Sequence, residues 1–159
     1  MEAETDLIAA YGLSPHPEGG LYREFHRSCV TLPAVPGYPG PRAAATGIYF
    51  LLGEHDFSAF HRLRSEELWI HLAGCPLELI LLEPGATRCR RICRVEEGGP
   101  PVTVVPAGAL QAARPVGGFS FAACLVAPGF DFADFDLPSR DELLERFPDR
   151  VDLVRSLTR

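Results

Sequence analysis

Two stretches of the chain concentrate side chains that could do chemistry. The first runs through 57–74, where His61 is followed by Glu67, Trp69 and His71. Imidazole titrates near neutral pH and binds metals in its neutral form, so His61 reads as a general acid–base group or a ligand. In an extended segment side chains alternate, which puts Glu67, Trp69 and His71 on one face and Leu68, Ile70 and Leu72 on the other. The first face offers a charge, a stacking surface and a titrating ring, as a cavity for a polar ligand requires. The plainer alternative is a solvent-facing strand with an exposed Trp. The aliphatic face is core or interface.

The second stretch is His16-Pro-Glu-Gly-Gly20 with Tyr22, Arg23 and Glu24. The paired glycines permit backbone geometries closed to other residues and let a ligand or strand approach closely. Tyr22 and Glu24 alternate to one face and Arg23 to the other. Arg23 could hold a carboxylate or phosphate in bidentate fashion, and Tyr22 could donate a proton. An Arg23–Glu24 ion pair at a strand edge or dimer seam is the competing reading. Tyr49 is a further candidate, whereas Arg62 and Arg64 face away if His61 faces inward. In Phe130-Asp-Phe-Ala-Asp-Phe-Asp136 the rings are expected to pack on the fold while the acids stay wet.

These residues need elements to position them. Thr5–Tyr11 reads as a short helix ended by Gly12. Leu21 to Val126 then breaks into nine β-rich runs: Leu21–His26, Ala45–Leu52, Phe57–Leu63, Glu67–Leu72, Leu77–Leu82, Cys89–Val95, Val102–Val105, Leu110–Arg114 and Phe119–Val126. Gly and Pro punctuate them, and such a series argues for a sandwich or barrel. Thr31–Pro41, with four prolines, reads as a loop. Ser139 and Glu142 form a capping box ahead of two short helical stretches.

Composition excludes several classes. All 15 basic residues are Arg, against 21 acids, for a net charge of −6. An acidic protein is poorly suited to nucleic acid, which wants a basic surface. Without Lys, no Schiff base or Lys general base is available. The five cysteines, at 29, 75, 89, 93 and 124, are expected as free thiols, with Cys75 and Cys124 buried. No apolar run approaches the ~20 residues of a membrane helix, and the acidic start lacks a signal-peptide pattern. A cytoplasmic protein forming one domain over residues 1–159 is expected, with no membrane partner.

The order of motifs carries a further message. PHPEGGLYREFHRS (15–28), GIYFLL (47–52), FSAFHRLRSEELW (57–69), PLELILLEP (76–84), VPAGALQAA (105–113) and APGFDFADFDL (127–137) together resemble the cupin-5 family, also called DUF985, of the RmlC-like cupin superfamily. The resemblance covers most of the chain. It implies a mainly β fold, a double-stranded β-helix or jelly-roll barrel, with short N-terminal and C-terminal helices. It also implies a pocket in which His61 and Glu67 occupy metal-ligand positions while Leu63 and Gln111 stand where two histidines usually do. An amide is a weak ligand for Zn or Fe beside imidazole. No cofactor is therefore expected; a divalent metal (Fe, Mn, Zn or Ni) held by His61, Glu67 and Gln111 is the alternative.

The reading that follows is a barrel binding a small polar metabolite, sugar-nucleotide or organic-acid-like. It would catalyse metal-independent isomerisation or epimerisation with His61, Glu67 and Tyr22 as catalytic groups. His16, Glu18, Arg23, Tyr49, Trp69, His71 and Gln111 would contact the ligand. A non-catalytic sensing barrel and a degenerate metal-dependent dioxygenase or lyase are the other readings. Cupins commonly pair their sheets, so a homodimer is expected, with Leu68, Ile70 and Leu72 offering the apolar area.

Overall fold

The structure, a computed structural model, describes residues 2–159. In chain order its elements are α1 (Glu2–Tyr11), β1 (Ser14–Pro15), β2 (Leu21–Arg27), β3 (Thr31–Leu32), β4 (Arg42–Ala43), β5 (Thr46–Leu52), β6 (Ser58–Leu63), β7 (Glu66–Gly74), β8 (Leu77–Glu83), β9 (Ala86–Ile92), β10 (Val102–Val105), β11 (Leu110–Pro115), β12 (Ser120–Ala127), β13 (Phe135–Asp136), α2 (Arg140–Arg146) and α3 (Val151–Ser156). A six-stranded sheet in the order β1-β2-β5-β12-β7-β10 faces a five-stranded sheet in the order β13-β6-β11-β8-β9. Every neighbouring pair is antiparallel. This is the mainly β jelly roll with short terminal helices.

All nine sequence-predicted strands form, with shifted ends. β9 begins three residues earlier than predicted because Glu83 pairs directly with Ala86, and Gly85 at φ +74° closes the two-residue turn. The segment read as a loop carries β3, which pairs with β4.

Alternation builds two cores. Side chains from both inner faces, among them Phe50, Leu52, Trp69, Leu79, Leu81, Ala113 and Ala122, fill one end of the barrel. On the outside of the five-stranded sheet, Phe60, Ile80, Leu82, Leu110 and Ala112 are covered by Leu143, Phe147, Val154 and Leu157 of the C-terminal helices. Each such burial is worth about 1.5–3 kcal/mol, and the Ser139–Glu142 capping box forms and starts α2. Part of the outer face of the six-stranded sheet is covered by α1, where the Tyr11 ring packs tilted against Tyr49 and Phe121 at 4.7 and 5.1 Å.

Asp134 departs from the expectation that the acids of 130–136 stay wet. It is buried, and it accepts from Arg42 Nε at 2.6 Å and Arg64 Nε at 3.2 Å. Two guanidinium partners make burial of that carboxylate tolerable. The five cysteines are free thiols; Cys93 and Cys124 are buried and Cys75 is only half-buried, because it sits in the turn entering β8.

Candidate functional site

Where the packed core ends, the barrel keeps a cavity of about 340 Å³. Along β12, Val126 and Cys124 line it, whereas Ala122 already belongs to the core. Its chemistry converges from three elements. β6 brings His61 and β7 brings Glu67, while the turn before β2 brings His16 and Glu18. Tyr22, Glu24 and Arg27 of β2 and Asp131 and Phe132 near the mouth complete it.

The His16–Gly20 turn is held from several sides. His16 N donates to Gly20 O at 3.0 Å, Gly20 N donates to Asp56 Oδ2 at 2.8 Å, and Ala59 N donates to Glu18 O at 2.8 Å. Gly20 lies at φ +70°, and a Cβ there would fall 2.7 Å from Leu51 O. Only glycine meets both demands, and the close approach is what carries Glu18 into the barrel.

His61 is 1% exposed. Its Nδ1–H donates to Ala59 O at 2.8 Å and faces Glu18 Oε2 at 3.5 Å. Its Nε2 faces Glu67 Oε2 at 4.0 Å, a charge contact rather than a hydrogen bond. Burial opposes a charged ring, but the Glu18 and Glu67 carboxylates outweigh it and raise the imidazole pKa to about 9. Burial, with Glu67 adding to it, pushes Glu18 up to about 7, against the pull of His61 and the hydrogen bond from Ser58 Oγ at 2.8 Å. His16, 3.5 Å from the same Glu18 oxygen, is lowered to about 4 by burial and by the His61 charge. At neutral pH the cavity thus holds one imidazolium, one neutral imidazole and a carboxyl near its midpoint.

Glu67 is fixed from behind. Gln111 Nε2 donates to Glu67 Oε2 at 2.6 Å and Gln111 Oε1 accepts from Trp69 Nε1 at 3.2 Å. Gln111 stands opposite His61 across the β6–β11 pair, so the four residues form one buried polar group.

Of the residues singled out in the sequence, the structure brings His16, Glu18, Tyr22, His61 and Glu67 together around one cavity. Trp69 and Gln111 lie just behind the wall and position Glu67. Three expected ligand contacts lie elsewhere. Arg23 projects outward and donates to Tyr11 O at 3.0 Å. Tyr49 sits on the same outer face beneath α1. His71 faces inward but pairs opposite Ala122 at the packed end, its Nε2 hydrogen-bonded to Cys75 O at 2.9 Å. Arg27 was missed because β2 bulges: Glu24 pairs with Ile48 but His26 with Gly47, leaving Phe25 over. The extra residue reverses the alternation and turns Arg27 back to the cavity side. The exposed charge and the spacing alone carry no sign of that bulge.

The donor geometry does not fit a metal. Of the three expected ligands, Gln111 and Glu67 are bonded to each other, and Leu63 presents only methyl groups to the cavity. Among the described residues no group of three His, Cys, Asp or Glu converges on one point.

The chain can be set beside known proteins at this point. Residues 5–138 match the model of a family described as Cupin superfamily (DUF985). A hypothetical protein from Leishmania major is 31% identical, with 97% of each chain covered and a TM-score of 0.87. A protein from Shewanella oneidensis is 34% identical, covering 97% of this chain and 96% of that one, with a TM-score of 0.85. A cupin 2 domain-containing protein from Halorhodospira halophila shares the fold at 17% identity, with 92% and 87% covered and a TM-score of 0.58. No curated protein matches the chain. Among the described residues no helix is long and apolar enough to cross a membrane.

Proposed function

The chain belongs to the DUF985 family of the cupin superfamily, and from that premise we propose that its barrel binds a small polar metabolite and isomerises it by acid–base chemistry. The observation that carries this reading is His61, buried at the cavity wall with each ring nitrogen facing a carboxylate, at 3.5 and 4.0 Å. Charged groups so arranged in a buried cavity wall are characteristic of sites that move protons.

The roles follow from the geometry. Glu18 and Ala59 O hold Nδ1, so Nε2–H is the group that meets a ligand. A ring kept protonated serves as acid rather than base, which reverses the role that a free imidazole would suggest. Nε2–H donates to a carbonyl oxygen of the substrate, and Glu67 removes the proton from the adjacent carbon. The C–H electron pair becomes the C=C bond of an enol, and the carbonyl oxygen takes the proton. Return of a proton to the other face of that carbon, with the enol O–H proton going back to His61, completes epimerisation. Where that carbon carries a hydroxyl, protonation of the former carbonyl carbon with loss of the hydroxyl proton completes isomerisation. Tyr22, which lines the cavity and lies edge-on to His16 at 4.6 Å, would supply the proton to carbon. Such acid–base assistance contributes roughly 10²–10⁴-fold.

Incubation in D2O with sugars, sugar phosphates, nucleotide sugars and hydroxy acids tests this. Deuterium should enter at the carbon beside the carbonyl of one class. A class that raises the melting temperature but exchanges no hydrogen would make the protein a binding module, since binding alone stabilises by mass action. No thermal shift and no exchange with any class would end both readings.

The same reading includes a homodimer. Leu72, Val102 and Val104 are 42%, 41% and 41% exposed. Val102 and Val104 pair with Ile70 and Leu68 on the outer face of β7 and β10. This exposed apolar surface on one sheet face supports the pairing. Light scattering should give two chains per particle and one chain for Val104→Glu; one chain for the unaltered protein would contradict it.

A further inference from the structure

We infer that the ligand of this cavity is an uncharged polyhydroxylated molecule of roughly monosaccharide size, and that the wall turns away its phosphorylated and carboxylated relatives. The inference rests on the binding reading above and narrows it to a ligand class.

Charge is the first argument. Four carboxyl side chains line the cavity, Glu18, Glu24, Glu67 and Asp131, against two basic groups, Arg27 and His61. With Glu18 counted as uncharged the balance is still three to two, and His16 adds no charge at neutral pH. Both cations already face carboxylates. Arg27 holds Glu24 through two hydrogen bonds of 2.9 and 2.7 Å and donates a third to Phe130 O at 3.2 Å. His61 stands between Glu18 and Glu67. A phosphate entering here would find each cation already balanced by carboxylate charge, would meet Asp131 as well, and would work against the chain's net charge of −6.

Hydrogen-bond character is the second argument. The lining combines residues with donors (His61, Tyr22) and residues with acceptors (Glu18, Glu67). A hydroxyl both donates and accepts, and a row of them satisfies such a wall. An ammonium only donates and leaves the donor groups of the wall without an acceptor. Phe130 and Phe132, with Tyr22, add aromatic surface against which the C–H face of a sugar ring can lie. Size agrees, since about 340 Å³ is at the small end of the range of roughly 300–1,000 Å³ for small-molecule sites.

Calorimetric titration of the full chain with matched probes tests this: D-glucose, D-xylose and D-fructose against glucose 6-phosphate, gluconate and glucosamine, at pH 7.5. At least one neutral sugar should bind no less than tenfold more tightly than its charged relatives. Glu24→Gln, at an exposed position that does not threaten folding, should release the Arg27 guanidinium and raise phosphate affinity about tenfold. Equal or tighter binding of an anion or of the amine by the unaltered protein would overturn the neutral-ligand inference and leave the binding reading standing. An unchanged phosphate affinity in Glu24→Gln would overturn the assignment of exclusion to the paired cation at the mouth. Heat from none of the probes, joined to no thermal shift with any class above, would remove the binding reading itself.

Discussion

His61→Asn is expected to slow proton exchange into a bound carbonyl compound by about 10²–10⁴-fold, the usual contribution of a positioned acid–base group, with the fold retained. Asparagine keeps a donor near Ala59 O, so little structural loss is expected beyond that of the ring. The same exchange should change how stability depends on pH. The His61 pKa is about 9 in the folded protein and 6.5 ordinarily. Its contribution is therefore complete below pH 6.5 and lost as pH rises through 9. One pKa unit corresponds to about 1.4 kcal/mol, so the loss is on the order of 3 kcal/mol. Glu18, raised from 4.5 to about 7, acts in the same sense but earlier: its contribution is complete below pH 4.5 and is lost as pH climbs to 7. His16, lowered to about 4, acts oppositely, stabilising above pH 6.5 and losing that contribution as pH falls through 4. Between pH 7 and 9 His61 is the group that matters. Urea unfolding across that window should show the unaltered protein weakening and the variant nearly flat. Parallel slopes for the two would contradict the flanked imidazolium.

Gln111→Leu should destabilise the protein by roughly 2–6 kcal/mol, because it orphans two buried groups at once and each lost partner costs about 1–3 kcal/mol, more when charged. Glu67 loses its 2.6 Å donor and Trp69 Nε1 its 3.2 Å acceptor. The side chain itself is 1% exposed, so water does not replace it. Combining Gln111→Leu with Glu67→Gln should cost less than the sum of the two, since the second change removes the orphaned charge. Additive losses, or a Gln111→Leu effect within 0.5 kcal/mol, roughly what surface substitutions show, would mean that the Trp69–Gln111–Glu67 chain does not hold the carboxylate.

That chain shows how far residue types and spacing reach. Alternation alone places Glu67, Trp69 and His71 on one inward face, and all three are buried there. It does not say how far along the barrel each one lies. Glu67 reaches the cavity, Trp69 lies behind its wall and His71 is lost in the packed end, because strand parity carries no depth. Arg23 and Tyr49 illustrate the reverse. Tyr22 and Phe50 face inward, so their neighbours must face out, and α1 covers Tyr49 with Tyr11. Arg27 needed the bulge at Phe25, whose ring lies close over Gly47. Asp134 needed its distant partner Arg42, 92 residues away in sequence. Local pattern gave strands, caps and turns; long-range pairing decided which charges are buried and which reach the cavity.

The most direct test of the central claim is the protonation state of His61 itself, read from ¹⁵N spectra of the histidine rings as pH is varied, with His61→Asn assigning the signal. A ring still protonated at pH 7.5 and titrating near 9, with that pKa falling in Glu67→Gln, is the predicted result. A ring that titrates near 6.5 or below would contradict the account, for then no imidazolium stands between Glu18 and Glu67 to act as the acid.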